Sequence, residues 1–195
     1  MKLILIDGGP ASGKNTLGEL LVHKLSELGE KAVLLDLDTY VEKYNPEWRW
    51  DSEHEKERDQ LQARVDLSKD IDQRLLENAI IFVIGERFLS RDDVRRFLER
   101  LGTTPSVYLY HLSTPFAIRK QRLHERGPHS LIDLEKDQKD RDAVADLPGY
   151  VYENIHTPEE DADKLLALIQ RGEGKLVNEI TRESTEEMKN VQELK

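Results

Sequence analysis

The chain of 195 residues contains no cysteine, so it can form neither disulfide bonds nor thiolate metal sites. It also has no run of 18 apolar residues, and we therefore predict no membrane-spanning helix and no membrane partner. No basic leader with a cleavage site precedes the first apolar segment, so the expected location is cytoplasmic. The six histidines form no pair with metal-ligand spacing, and we assign no zinc site.

The charge balance limits the choice of partners. Acidic residues outnumber basic ones by 39 to 29, which gives a formal net charge of −10. An acidic surface disfavours a large nucleic-acid or anionic-membrane footprint, although a local basic cleft remains compatible with it. The length fits a single domain with a buried core, and the sequence leaves the oligomeric state open.

Short apolar segments alternate with helical ones along most of the chain. The predicted strands are 3–6, 32–35, 79–84, 106–111 and 150–153. The predicted helices are 14–28, 53–78, 92–101, 115–125 and 158–170. This alternation is typical of an α/β fold in which helices cover both faces of a parallel sheet. Ligands of such folds bind at the carboxyl ends of the strands.

The first strand runs into a glycine-rich turn within the stretch "LILIDGGPASGKNTLGELL". A strand, such a turn and then a helix direct several backbone N–H groups and the helix dipole at one point, where a phosphate can bind. Lys14 can reach the β- and γ-phosphates of a nucleotide. Asn15 stands where the motif G-x-x-x-x-G-K-[ST] has a hydroxyl, and Thr16 follows it. The predicted nucleotide-binding residues are Gly8, Gly9, Pro10, Ala11, Ser12, Gly13, Lys14, Asn15 and Thr16.

Motifs of two other nucleotide-binding classes are missing. A GTPase switch needs a guanine-reading N-K-x-D after a later strand, and the sequence contains none. A motor ATPase usually ends a strand with two hydrophobic residues followed by Asp-Glu, whereas the third strand here continues as "VIGER". Neither class gains support.

The second strand ends in "LLDLDTY", which brings Asp36, Asp38 and Tyr40 to the carboxyl edge of the sheet. A hydroxyl acceptor is a poor nucleophile at neutral pH, so a carboxylate that takes its proton assists phosphoryl transfer. A phosphate acceptor needs arginines instead of a base. These residues therefore favour a hydroxyl acceptor, with capping of a turn or helix as the alternative role of the carboxylates.

Further candidates follow the third and fourth strands. "GERF" places Glu86 and Arg87 beside the phosphate-binding loop, where Arg87 could contact an acceptor. Tyr40 and Trp50 belong to an aromatic stretch where an acceptor pocket would form, and core packing is their alternative role. In "IRKQRLHERG", Arg122 and Arg126 share one helical face and could neutralise a triphosphate; a solvated, salt-bridged helix is the alternative.

Up to residue 170 the sequence resembles the P-loop kinases. "GKNT" looks like the "GKGT" of the adenylate-kinase-like branch, in which magnesium is held largely by nucleotide phosphates and water. The resemblance implies a three-layer fold with strand order 2-3-1-4-5 and a helical lid at about 126–148. It implies ATP and Mg²⁺ as cofactors, with Asn15, Thr16 and Asp36 near the metal, partly through water. Residues 172–195 would form a polar, helical tail outside the kinase domain of residues 1–171.

The stretch "DLDTYVEKYNPEWRWD" resembles segments of uridine kinases, nicotinamide riboside kinases and polynucleotide 5′-kinases. The resemblance implies that Asp38 acts as the base and Lys14, Asp36, Arg122 and Arg126 assist catalysis. The expected activity is transfer of the γ-phosphoryl group of ATP to a hydroxyl of a small acceptor, nucleoside-like or otherwise. A 5′-hydroxyl end is the one nucleic-acid partner compatible with this interpretation.

Two alternatives remain open from the sequence. In a nucleoside monophosphate kinase, Arg87 and Arg58 would bind an acceptor phosphate. In a regulatory protein that binds a nucleotide without turnover, Asn15 would mark the loss of the usual magnesium hydroxyl.

Overall fold

The computed structural model describes residues 1–127 and 133–176. Its strands are β1 (Lys2–Gly8), β2 (Ala32–Asp36), β3 (Ile80–Ile84), β4 (Ser106–Ser113) and β5 (Tyr150–Glu153). Its helices are α1 (Lys14–Glu27), α2 (Leu37–Glu42), α3 (Glu53–Leu76), α4 (Arg91–Leu98), α5 (Phe116–Glu125), α6 (Leu134–Asp142) and α7 (Pro158–Arg171). Most of the predicted tail, residues 177–195, lies outside the described residues.

The five strands form one parallel sheet with the order β2-β3-β1-β4-β5, which confirms the predicted fold class and strand order. Alternate residues of β1 point to opposite faces. Leu3 and Leu5 pack with α3 and α4, whereas Ile4 and Ile6 pack with α1 and α7. All four are fully buried, and each contributes about 1.5–3 kcal/mol by burial. The sheet thus provides a rigid base for its carboxyl edge.

Two helices were not predicted as separate elements. Asp36 caps α2 by accepting a hydrogen bond from the amide of Asp38, so the predicted turn after β2 is a short helix. Helix α6 lies inside the predicted lid and begins after Asp133, which caps it. Its sequence "LEKDQKDRD" buries only Leu134 and has no apolar periodicity to indicate a helix.

The chain beyond α7 returns to the sheet. The amide of Leu109 donates to the carbonyl of Gly174 at 3.0 Å, and the amide of Leu176 donates to Val107 at 2.9 Å. Leu176 also packs against the core on the α3 side. Across the part of the chain described here, no helix combines the length and apolarity needed to cross a membrane.

Candidate active site

The loop between β1 and α1 has the geometry of an anion-binding site. Gly13 precedes the first turn of α1, and no side chain caps this helix or places an acidic group in its first turn. The N–H groups of that turn therefore remain available to a negatively charged ligand, with the helix dipole behind them. Asn154 and Thr114 fix the loop from below, since both donate to the carbonyl of Ser12, at 2.7 and 3.1 Å.

Lys14 lies at the mouth of this loop. Its ammonium group donates to the carbonyl oxygens of Gly8 and Gly9 at 2.7 and 3.3 Å. Burial lowers the pKa of Lys14, and the charges of Asp7 and Asp38 oppose that shift. The ammonium group thus lies in a cleft that also holds carboxylates.

This cleft, of about 270 Å³, opens at the carboxyl ends of β1, β2 and β3. The predicted residues that line it are Gly8, Pro10, Ala11, Ser12, Gly13, Lys14, Asn15, Asp36, Asp38, Arg87 and Arg126. Asp7, Gly85, Glu86, Asp137 and Arg141 complete the lining. One cleft therefore unites the phosphate-binding loop with both carboxylates at the end of β2.

Asp38 is a cleft carboxylate with a raised pKa. Desolvation in the cleft, followed by the negative charge of Asp36, raises the pKa of Asp38 to about 6, although the residue as a whole is exposed. A carboxylate with this pKa is ionised at neutral pH and holds a proton more strongly than an ordinary aspartate does. Those are the properties of a general base.

Asp36 and Asn15 form a polar pair at the edge of the cleft. The side-chain amide of Asn15 donates to Asp36 at 2.8 Å, so the carbonyl oxygen of Asn15 remains as its other polar group. Within residues 1–127 and 133–176, no three acidic or histidine side chains converge into a preformed metal cage. Oxygen donors of this kind suit Mg²⁺, which keeps several waters and binds nucleotide phosphates. Asn15 and Asp36 therefore fit a magnesium site that the nucleotide itself completes.

A second pocket, of about 210 Å³, lies on the other side of the loop. Its walls come from α1, α5 and the segment between β5 and α7, and they include Thr16, Arg122, Arg126, Asn154 and His156. Arg122 approaches the loop, with one guanidinium nitrogen 3.4 Å from the carbonyl oxygen of Ala11. Arg126 lines both this pocket and the cleft. Thr16 therefore lines a different pocket from Asn15 and Asp36, the other two residues predicted to lie near the metal.

Arg119 crosses the loop from α5. It is 2% exposed and donates to Asp137 at 3.0 Å and to Gln138 at 2.5 Å, both on α6. A Cβ atom on Gly9 would lie 1.5 Å from a guanidinium nitrogen of Arg119, so the crossing requires glycine at this position. The Nε of Arg119 has no hydrogen-bond partner among the described residues. The lid helix is thus tied to the loop through this arginine.

Asp7 forms a second connection to α6, from beneath the loop. Arg141 donates to both carboxylate oxygens of Asp7 at 3.0 Å, and Nδ1 of His111 lies 3.1 Å away. Burial alone would raise the pKa of Asp7. Hydrogen bonds from His111 and Arg141 more than offset that effect and hold the pKa well below its ordinary value. Asp7 is therefore an ionised carboxylate in the protein interior.

The proposed acceptor-binding residues do not all reach the cleft. Tyr40 is buried and donates to Asp70, and the indole N–H of Trp50 donates to Asp59, so both side chains bond to α3. Arg87 does line the cleft, where it pairs with Asp140 of α6 at 3.3 Å. Among the three, only Arg87 is in a position to face an acceptor bound there.

Sequence reasoning missed Asp7 and Arg141 as site residues. A charged residue directly after the apolar run "LILI" was the available signal for Asp7. Arg141 lies in a stretch rich in both charge signs, where no spacing distinguishes it from its neighbours. Only the folded arrangement brings these two residues together, across 134 positions of the chain.

The sequence matches one family model and no curated protein. Residues 4–143 match the model of the family described as AAA domain. No curated protein gives a significant match to the sequence.

Solved structures of small-molecule kinases share the fold. An unliganded sugar kinase from Janibacter sp. HTCC2649 is 19% identical with a TM-score of 0.60, covering 87% of this chain and 95% of its own. The Mycobacterium tuberculosis APS kinase in complex with AMPPNP and APS is 16% identical with a TM-score of 0.59, covering 87% and 97%. Shikimate kinase from Acinetobacter baumannii in complex with shikimate is 23% identical with a TM-score of 0.54, covering 88% and 93%. The fold is therefore that of the P-loop kinases.

Proposed function

We propose, from the premise that this chain belongs to the AAA domain family, that it transfers the γ-phosphoryl group of ATP to a hydroxyl group of a small acceptor. The fold shared with sugar, shikimate and APS kinases supports phosphoryl transfer. One observation supports a hydroxyl group as the acceptor. The carboxylate of Asp38 has a pKa of about 6 and lines the same cleft as Lys14.

Different residues of the chain have different roles in this reaction. Lys14 and the N–H groups at the start of α1 hold the phosphates, and Arg126 adds positive charge around the transferring group. Arg141 lines the same cleft, where it is paired with Asp7. The acceptor oxygen bonds to phosphorus as the bond from phosphorus to the leaving ADP oxygen breaks, and Asp38 takes the hydroxyl proton. Bound Mg²⁺, held near Asn15 and Asp36, would neutralise charge on the phosphate oxygens. The second pocket, beside Asn154 and His156, would accept the nucleoside end of ATP.

The test is ADP release with ATP and magnesium across a panel of sugars and other small hydroxylated metabolites, nucleosides, nucleoside monophosphates and 5′-hydroxyl oligonucleotides. Lys14→Ala should abolish acceptor-dependent release. Lys24→Ala is the matched control, because Lys24 lies on the same helix but pairs with Asp163 outside the cleft. Tight ATP binding without acceptor-dependent release anywhere in the panel would contradict the proposal and favour a nucleotide-binding regulatory protein.

The second candidate function is that of a nucleoside monophosphate kinase. Arg87 favours it, because this arginine, predicted to bind an acceptor phosphate, lines the cleft. Arg58, the other arginine considered for an acceptor phosphate, instead pairs with Asp59 at 2.8 Å and does not line the cleft. A phosphate acceptor is already an anion and needs no base. Its transfer should therefore barely respond to Asp38→Asn.

A further inference from the structure

We propose that Asp7 is a positioning residue, which docks helix α6 and holds Arg141 of that helix in the cleft beside the phosphate-binding loop. The role in catalysis rests on the proposed function, whereas the docking is a property of the protein alone. Asp7 is 1% exposed and lies at the end of β1, directly before the loop. A strand buried in the centre of the sheet thus provides the anchor for a helix at the surface.

The geometry of the Asp7–Arg141 pair is that of a strong, directional interaction. The two guanidinium nitrogens meet the two carboxylate oxygens at 3.0 Å, which is the bidentate arrangement. The amide of Gly8 donates to the same carboxylate at 2.6 Å and fixes its orientation. Arg141 also donates to Asp137 of its own helix at 3.1 Å, and Asp7 also faces His111, so removal of one partner leaves the other partly compensated. The cost still exceeds the loss of an exposed pair, because the remaining charge is shielded from water.

Helix α6 depends on such pairs because it has little apolar burial. Leu134 is its only buried residue. Its other connections to the body of the protein are charged or polar: Asp137 and Gln138 with Arg119, and the half-exposed Asp140 with Arg87. Hydrophobic packing therefore contributes little to where α6 sits, and its two shielded connections are the pairs Asp7–Arg141 and Arg119–Asp137.

His111 extends the anchor to the end of the lid segment. Its Nδ1 faces Asp7 and its Nε2 lies 2.7 Å from the carbonyl oxygen of Pro148. The next residue, Gly149, has a φ of 92°, and a Cβ there would lie 2.6 Å from the carbonyl of Leu109. This end of the segment is thus fixed to β4.

The experiment is hydrogen exchange of the α6 amides in the full chain without nucleotide. Asp7→Asn and Arg141→Gln each remove the buried pair, and we expect exchange in α6 to rise by at least about tenfold in both. Arg87→Gln is the matched control, since it removes the exposed pair between Arg87 and Asp140 of α6. It should change the exchange rate of the α6 amides by less than about threefold. Amides of β1 and β3 report whether the sheet stays folded. If Asp7→Asn disturbs the sheet, Arg141→Gln, a change on the surface helix, carries the test.

Kinetics separate positioning from a merely structural role. Loosening of α6 should lower kcat for the acceptor reaction by about tenfold or more with a smaller change in the KM for ATP, and Arg141→Lys should recover part of the loss. Exchange of α6 within twofold of the parent protein in both pair variants would overturn the proposal. Absence of any acceptor-dependent reaction, with the exchange result as expected, would instead overturn the proposed function and leave the docking role established.

Discussion

The loop wall of the cleft, formed by β1 and the start of α1, is held by burial, whereas the lid wall, formed by α6, is held by ion pairs. Four consecutive side chains of β1, from Leu3 to Ile6, are fully buried, while α6 buries only Leu134. Burial is insensitive to small changes in the surroundings, but ion pairs respond to charge, salt and competing ligands. We therefore expect the loop wall to hold phosphates rigidly, and the lid wall opposite it to be able to rearrange.

Asp38→Asn is expected to have the largest effect, because it removes the proposed base, which lies on α2 at the edge of the cleft, while leaving the shape of the cleft intact. Turnover with a hydroxyl acceptor should fall by a factor on the order of 10²–10⁴. Steady-state kinetics with the acceptor identified by the ADP-release panel measures this. Asp51→Asn, at an exposed position outside the cleft, is the control and should retain activity.

Truncation of one leucine in each wall tests the comparison through stability. Leu5→Ala removes a fully buried side chain of β1 and should lower the free energy of unfolding by about 2–5 kcal/mol. Leu134→Ala should lower it by less than about 1 kcal/mol, because α6 can open without unfolding the sheet. Denaturant unfolding measures both variants. Equal losses would show that the lid wall belongs to the same cooperative unit as β1.

The pH dependence sharpens the role of Asp38. The proposed base acts as a carboxylate, and its pKa of about 6 means that it gains a proton as the pH falls through that value. Below pH 6, kcat/KM should decline by about tenfold per pH unit, and it should be nearly constant between pH 7 and 8. A pH–rate profile measures this. A profile that stays flat down to pH 5 would contradict the assignment of Asp38 as the base.

Salt is expected to give the smallest effect. An increase from low ionic strength to about 1 M should accelerate hydrogen exchange in α6 by about two- to threefold, through screening of the exposed Arg87–Asp140 pair. The buried Asp7–Arg141 pair is screened far less, and β1 is held in the sheet by backbone hydrogen bonds to β3 and β4 and by buried side chains. Exchange in β1 should therefore stay unchanged over the same range. A larger salt response in β1 than in α6 would reverse the comparison.

The two walls also differ in how far the sequence predicts them. The loop wall follows from local patterns, since the apolar run of β1 and the spacing of Gly8, Gly13 and Lys14 are readable along the chain. The lid wall depends on contacts such as Asp7–Arg141, which join distant parts of the sequence and leave no periodic signal. The same limit explains Trp50, whose hydrogen bond to Asp59 directs it to α3. Composition places an aromatic residue near a site, but only the fold determines its partner.

The most direct test of the account follows the γ-phosphoryl group itself. ATP labelled at the γ-phosphate is incubated with the protein and the acceptor, and the labelled product is treated with hot acid. Transfer to a hydroxyl gives a phosphate ester, which survives, whereas transfer to a phosphate gives an anhydride, which is hydrolysed. We expect an acid-stable labelled product that is lost in Lys14→Ala and strongly reduced in Asp38→Asn. An acid-labile product formed equally well by Asp38→Asn would contradict this expectation.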